Sequence, residues 1–549
     1  MVSLFAKSVY YVAPTGGSDD NSGTIDNPWA TWKKAFKTAE PGDTVYFRGG
    51  VWYPEKTTHY LPLEGIGNNG TYDNWIVYTN YPGETPILDC KNFPVTTSSI
   101  GGLSIAGVTY VTFKGLTIRN NRQTTKAQWI CGVGLSNSGV VYLDQMTSTG
   151  HGGTGYYIAG WDTLYMINCD SYDNIDSTST GIYGGRADGY TMSSGGTAFD
   201  TFKIAYINGC RAWYNSDDGF DISSTKQLDV HDCWSWNNGR IYGDACGFKW
   251  AYSSVVNPHK RKVYNTITAY NYNYSESGDM IGGGHVFVNL NDADYGIYQV
   301  MYNNTSYRDY MGHMSGLGAF DCETEAMAIY RNNLVYEPQD PSGPYQAGFK
   351  ACNYGTPTYV IQDHNTWLQT GNYWQTKSNE TFSINDDDFV NLDTSQLSQP
   401  RKPDGSLPDL TFLRLTEGSD LIDAGVDVGL PYTGDAPDLG AFEYGIYSDA
   451  IVDYKIPLEF QFFQNYPNPF NETTCICYSM IGNGIVSLAV HNLSGQLIKL
   501  LFKGDKNKGN YKVIWDGRDE SGIRVPNGVY LCKLTINDFV GTKRLFCYK

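Results

Sequence analysis

A short pattern that returns at uneven intervals limits what this chain can fold into. Cys169-Asp170-Ser171-Tyr172-Asp173-Asn174, Cys210-Arg211-Ala212-Trp213-Tyr214-Asn215 and Cys233-Trp234-Ser235-Trp236-Asn237-Asn238 each end a short apolar strand in an aromatic residue followed by a polar one. Looser copies follow at Ile267 to Asn271, Asn304 to Asp309, Asn333 to Tyr336 and His364 to Trp367. With the aromatic as marker (Tyr172, Trp213, Trp236, Tyr270, Tyr307, Tyr336, Trp367), the steps are 41, 23, 34, 37, 29 and 31 residues. Each repeat holds two or three strand-like pieces separated by Gly, Asn, Asp or Ser, with no helical periodicity between them. That excludes helical solenoids, and propeller blades keep a steadier period. A right-handed parallel β-helix fits: a rung with tight turns is short, a longer rung bulges as a loop, and equivalent residues on adjacent rungs sit about 4.8 Å apart.

The rest of the chain agrees with an all-β architecture. Glycine is abundant (61 residues), aromatics reach 15%, and charged residues are only 17%, which suits a turn-rich β protein and argues against disorder. One amphipathic helix is expected within Pro28 to Ala39, where Trp32, Ala35, Phe36 and Ala39 form a single apolar stripe. A lone helix ahead of a β stack is suited to covering its open apolar end. Cys169, Cys210 and Cys233 fall in one slot on consecutive rungs and predict an inward stack of buried thiols. Twelve cysteines in 549 residues are too sparse for a disulfide scaffold.

The length predicts more than one domain. Residues 9–445 read as the β-helix, its last part a Pro/Gly/Asp-rich tail laid back on the rungs. Residues 446–456 read as a linker and 457–549 as a small β-sandwich of about seven strands. The net charge of −18 disfavours a nucleic-acid partner. No apolar run approaches the length of a membrane span. Met1 to Ser8 reads equally as the stump of a trimmed signal peptide and as a cloning remnant.

Chemistry concentrates between Asp188 and Lys249. A Gly-aromatic pair recurs at Gly189-Tyr190, Gly219-Phe220 and Gly247-Phe248, as if one slot were refilled on successive rungs. Stacking then sets Asp188 beside Asp218, with Asp217 and Asp221 on the same rung, and brings Lys249 next to Asp221. Carboxylates so close raise one another's pKa unless a cation sits between them, and an all-oxygen site of this kind suits Ca²⁺. Burial and a cation favour a neutral Lys249, which can take a proton alpha to a carboxylate. A uronic-acid polysaccharide carries such a proton at C-5, and loss of the 4-O-linked sugar completes β-elimination.

The order Ala-Asp-Gly, Asn-Ser-Asp-Asp-Gly-Phe-Asp and Gly-Phe-Lys resembles polysaccharide lyase family 9, as do the opening Tyr-Tyr-Val-Ala-Pro and Pro-Gly-Asp-Thr-Val-Tyr segments. The resemblance spans roughly residues 9–445. It implies a Ca²⁺-dependent lyase on a parallel β-helix, with Asp188, Asp217, Asp218 and Asp221 as calcium ligands and Lys249 as Brønsted base. It implies an acidic, galacturonic-acid-containing substrate of pectate or rhamnogalacturonan type. The sequence departs at Trp250-Ala251-Tyr252, where family members commonly have Leu-Gly-Gly, so a reshaped groove is expected there. The C-terminal segment, with Asn465-Tyr466-Pro467-Asn468-Pro469-Phe470-Asn471, resembles the type IX secretion sorting domain, related to the immunoglobulin-like domain of flagellar hook-capping proteins. That implies a secreted or cell-surface protein and a partner in the secretion machinery; a monomer is expected.

Other features bear on the site. The basic run Lys260, Arg261 and Lys262 reads as a solvated loop able to meet substrate carboxylates. A second Gly-Phe-Lys at Gly348 to Lys350 reads as structural, as does Thr149-Gly150-His151-Gly152. Two rival readings stand beside the lyase: an inverting hydrolase using paired aspartates of the same rungs, and a non-catalytic carbohydrate-binding adhesin whose aspartates hold structural calcium.

Overall fold

The structure, a computed structural model, describes residues 7–54, 68–93, 100–123, 130–178, 185–193, 204–223, 227–241, 243–250, 260–274, 280–287, 298–310, 313–315, 327–337, 349–350, 359–369, 376–379, 381–446, 460–462, 470–471, 473–480, 484–506, 509–536 and 539–548. They divide into two compact units, residues 1–447 and 448–549.

The first unit is a parallel β-helix with three strand faces. One face carries Tyr190–Met192, Phe220–Ile222, Cys246–Trp250 and Gly283–Phe287, each in parallel register with the next. A second runs through Ile204–Asn208, Gln227–His231 and Lys260–Tyr264. The third holds Asp170–Tyr172, Arg211–Trp213, Trp234–Trp236 and Ile267–Ala269; the markers Tyr172, Trp213 and Trp236 share one slot, but on the next rung that slot is filled by Ala269, which pairs with Trp236 and Tyr307, and the expected marker Tyr270 falls one residue later, in the turn. The long strands Ile130–Asp144 and Thr154–Ile167 run from the first face into the second, so one corner of those rungs is continuous strand.

Identical slots produce continuous stacks. The Gly-aromatic slot extends one rung each way beyond its sequence signature. Tyr156, Tyr190, Phe220, Phe248 and His285 stack with centroid spacings of 4.8, 4.5, 4.5 and 4.9 Å. The glycine before each ring is required by close approach: a Cβ on Gly219 would lie 2.0 Å from Ser235 Oγ and 2.6 Å from the Gly247 carbonyl. The predicted thiols of Cys169, Cys210 and Cys233 are buried and unbridged. The marker aromatics Tyr172, Trp213 and Trp236 stack at 4.2 and 4.7 Å.

The asparagine two positions beyond the marker slot on each rung has its own partner. Asn174, Asn215, Asn238 and Asn271 each donate from Nδ2 to the residue one rung on, at 2.8–2.9 Å, and the series ends at Asp309. The accepting oxygen also takes the backbone N–H of the preceding rung's asparagine. These buried amides turn the corner between strands, where backbone groups have no sheet partner, and so satisfy an otherwise costly set of polar atoms. His151 stands at the head of the series: its N–H donates to Asn174 Oδ1 at 3.2 Å and its Nδ1 accepts from Asn121. Burial pushes its imidazole down to about 3, so it is neutral.

The capping helix forms at Trp32–Thr38, covering the apolar stripe up to its C-cap Ala39, and starts at Trp32 because Thr31 caps it by accepting from Lys34 N. Trp32 and Phe36 pack on Phe47 and Tyr78 at 4.6 and 4.9 Å. From 381 to 446 the chain lies over the third face, with Phe389, Leu397 and Phe412 in one buried cluster with Trp236, Tyr307 and Tyr336. Arg401 anchors it by a buried ion pair with Asp170 at 2.6 Å, which Arg211 shares at 2.8 Å.

The second unit holds two antiparallel sheets. Phe460–Phe462, Thr474–Met480 and Gly509–Trp515 form one; Leu497–Lys506, Gly484–Asn492, Gly528–Ile536 and Phe539–Cys547 form the other. Ile476, Leu488, Trp515 and Leu534 fill the core between them. Of the Asn465 to Asn471 string, only Phe470 and Asn471 lie among the described residues.

Candidate active site

The site grows out of the Gly-aromatic slot. The residue preceding each glycine ends a turn, so its side chain leaves the core and faces the first strand face. Asp188 and Asp218 occupy that position on adjacent rungs, and Cys246 follows on the next. The backbone threads them together: Asp218 N donates to Asp188 Oδ1 at 3.2 Å, and Cys246 N donates to Asp218 Oδ1 at 2.7 Å. Asp217 is held by Asp244 N, which donates to its Oδ1 at 2.7 Å, while Thr191 donates its hydroxyl to Asp188 Oδ2. Asp188, Asp217 and Asp218 thereby bring one carboxylate oxygen each within 4.8 Å of one another.

Register sets the outward row beside them. Tyr157, Thr191, Asp221, Lys249 and Val286 are successive partners across the first face. Lys249 Nζ lies 3.1 Å from Asp218 Oδ2 and 3.9 Å from Asp221 Oδ2. It also meets Asp244 Oδ2 at 2.5 Å. Lys249, Asp221 and Asp244 line a cleft of about 320 Å³, together with Asp188, Asp217, Tyr157, Arg186 and Thr191.

Electrostatically the cluster is under-compensated. Burial, then the charges of Asp221 and Asp218, push the Asp188 carboxyl well up; burial, then Asp218 and Asp188, do the same for Asp217. Burial also raises Asp218, against the opposing pull of Lys249, and takes Asp221 up to about 6. Burial works to neutralise Lys249, but the aspartates outweigh it and hold its ammonium far above the ordinary range. Asp218 Oδ2 is sealed from solvent, and the one partner found for it among the described residues is Lys249 Nζ. A hard divalent cation fits this donor set: three convergent carboxylates, all with the charged form disfavoured by burial and mutual repulsion.

Not every residue singled out in the sequence reaches the cleft. Asp221 does, beside Lys249, but stands outside the tight trio. Lys260, Arg261 and Lys262 do not form the expected loop; they begin the strand Lys260–Tyr264 on the second face. Alternation there pairs Arg261 with Leu228 and Val263 with Val230, so Arg261 is turned into the interior, and Lys262 Nζ lies over the Tyr264 ring at 4.2 Å. Arg261 and Lys262 are not among the described residues lining the cleft. Trp250 is buried against Phe248, so its side chain does not shape the groove, and Ala251 and Tyr252 lie outside the described residues. Lys350 pairs with Met314, which pairs with Val286, placing it in the Lys249 row three rungs on; Gly348 lies outside the described residues. Among the cleft residues that escaped the sequence reading are Asp244 and Arg186. The first stands five residues before Lys249, in a loop with no repeat signature; the second was hidden by its closeness to the more conspicuous Asp188.

Known proteins share the fold. A family model described as the Pel9A-like, right-handed β-helix region matches residues 10–310, and a FlgD Ig-like domain model matches residues 484–538. Pectate lyase L of Dickeya chrysanthemi is 27% identical over 460 residues, which cover 80% of this chain and 91% of that protein. Pectate lyase PEL9 of Emericella nidulans is 24% identical over 449 residues, covering 75% and 93%. The crystal structure of pectate lyase Pel9A superposes with a TM-score of 0.55 at 23% identity, over 81% of this chain and 98% of the other. With more than half of its length matched by the family model, the chain belongs to the Pel9A-like right-handed β-helix family and is a polysaccharide lyase.

Proposed function

We propose that the protein is a secreted, Ca²⁺-dependent lyase that cleaves a galacturonic-acid-containing polysaccharide of pectate type by β-elimination, with Lys249 as the base. The observation that carries this reading is the buried Asp218 Oδ2 between two further carboxylates and a lysine ammonium. Asp188, Asp217 and Asp218 would hold the cation, with Asp221 at its edge. Bound there, Ca²⁺ supplies positive charge that neutralises the aspartates and the substrate carboxylate and so favours charge build-up at C-5.

The chain's own groups do the rest. With Asp218 and Asp221 engaged elsewhere, less negative charge remains to keep a proton on Lys249 Nζ, which then acts as a free amine. Lys249 Nζ takes the C-5 proton, the C–H electrons form the C4=C5 double bond, and the bond from C-4 to the glycosidic oxygen breaks. The departing oxygen collects a proton from solvent or from a cleft acid. Pectate rather than rhamnogalacturonan is supported by the pectate lyases matched in sequence. An inverting hydrolase needs two carboxylates roughly 6.5–9.5 Å apart, whereas Asp188, Asp217 and Asp218 converge within 4.8 Å, which suits those three to a cation rather than to an acid–base pair. Export through a type IX system rests on the resemblance of residues 457–549.

The test is turnover of polygalacturonate, rhamnogalacturonan and alginate, followed by ultraviolet absorbance of the unsaturated product with Ca²⁺ or with chelator. Chelator-sensitive absorbance on polygalacturonate is the expected result. Reducing ends without absorbance would establish hydrolysis, and neither product would leave a binding protein.

A further inference from the structure

The cleft extends beyond the base and the aspartates, and its far end has a different character. Along the outward row, Tyr157 is three register steps from Lys249, or about 14 Å of backbone at the usual strand spacing. Arg186 lines the cleft on the rung of Asp188, next to that of Tyr157, where Gly155 N donates to the Asp188 carbonyl. The backbone carbonyl of Arg186 is itself fixed by the Thr154 hydroxyl at 3.2 Å, and Tyr157 meets Ser193 through its own hydroxyl at 3.4 Å. Lys249 with Asp244 and Asp221 therefore stands at one end, Asp217 and Asp188 follow, and Arg186 with the Tyr157 ring lies at the other.

A polyuronate chain carries a carboxylate on every sugar, and a single cation cluster neutralises only the one at the reacting residue. Its neighbours must enter a cleft already lined by Asp188, Asp217, Asp221 and Asp244. We infer that Arg186 and Tyr157 form a second sugar subsite, in which the guanidinium binds the carboxylate of a uronate next along the chain from the one that loses its proton and the ring packs on the sugar. Arginine suits this role because its planar fork matches a carboxylate with two parallel hydrogen bonds, and an aromatic ring beside it gives the sugar an apolar platform. The substrate chain then runs along the helix axis from Lys249 towards Tyr157. This subsite rests on the lyase reading above.

The test compares wild type with Arg186→Ala, Arg186→Lys and Arg186→Gln on polygalacturonate, with thermal melting as a check on folding. Expected for Arg186→Ala is a rise in KM of roughly ten-fold with kcat little changed, partial recovery in Arg186→Lys, and a weaker dependence of KM on ionic strength. A structural role would lower the melting temperature and kcat and would not be rescued by lysine. If Arg186→Ala fails to fold, Arg186→Gln, which keeps the length and hydrogen-bonding capacity without the charge, is read in the same way. Unchanged KM in the folded variants, or a loss confined to kcat, overturns the subsite. Polygalacturonate binding by calorimetry, wild type against Arg186→Ala in chelator, gives the same comparison without turnover. A wild type that binds polygalacturonate but forms no unsaturated product overturns the lyase reading alone; equal binding by the two proteins overturns the subsite.

Discussion

Asp218 and Lys249, thirty-one residues apart in the chain, meet through Oδ2 and Nζ at 3.1 Å because the rungs that carry them are neighbours in the stack. Removing either partner tests a different half of the proposed chemistry. Lys249→Ala is expected to lower lyase turnover by on the order of 10²–10⁴-fold, the range for loss of a positioned general base. Calcium binding, followed by calorimetry, is expected to survive. Full turnover in this variant would remove Lys249 from the mechanism.

Asp218→Asn acts on the cation side. It deletes a buried carboxylate whose charged form is disfavoured first by burial, so the calcium-free protein is expected to melt at a higher temperature than wild type. The gain in melting temperature on adding Ca²⁺, which for a ligand at a hundred times its Kd reflects about 2.7 kcal/mol, is expected to shrink or vanish. A calcium-induced shift equal to that of wild type would place the cation elsewhere.

Asp309 predicts a pH dependence away from the cleft. Burial pushes its carboxyl up to about 6, despite hydrogen bonds from Ser306, Thr268 and Asn271. A folded pKa above the unfolded value means that the folded state binds the extra proton, so the penalty is greatest above pH 6 and fades as pH falls towards 4. Asp309→Asn is therefore expected to raise stability at pH 7.5 by up to roughly 3 kcal/mol, with little difference at pH 4. Denaturant unfolding at the two pH values measures it, and an equal effect at both would contradict the assignment.

Arg401→Ala tests the strap over the third face. It leaves Asp170 buried with Arg211 as its remaining cation, and breaking a buried pair costs about 3–5 kcal/mol. The tail around residues 395–410 is expected to become sensitive to protease at temperatures where wild type resists. Lyase turnover at low temperature is expected to stay near wild type, since the pair is not part of the cleft lining.

The legible parts of the sequence were those where one slot makes the same demand on every rung. A glycine squeezed against the next rung's carbonyl and a ring stacked on a ring leave little choice of residue, so Gly219-Phe220 and Gly247-Phe248 announced their register. From that register alone, Asp188, Asp218, Asp221 and Lys249 fell into one neighbourhood. Asp244 was not visible: its side chain is 63% exposed and is held by an ion pair with Lys249 and by its backbone N–H, so no packing constraint marks it in the sequence. The basic run misled for the opposite reason. Three cations in a row read as solvated, whereas strand alternation committed Arg261 to the interior once Val263 took its inward place. The amide series was seen only as a polar residue after an aromatic, because its purpose lies between rungs.

That series also governs how the molecule can change its length. Each asparagine from Asn174 to Asn271 completes the valence of the residue above and has its own completed from below, so inserting or deleting a few residues inside a corner severs a link on both sides. Whole turns can be added or lost, and loops can swell between strands, but nothing intermediate is tolerated. The cleft is built on such turns, so its depth and its spacing from base to far subsite come in steps of one rung, and a relative that handles a longer or shorter stretch of polymer would differ from this chain by an integer.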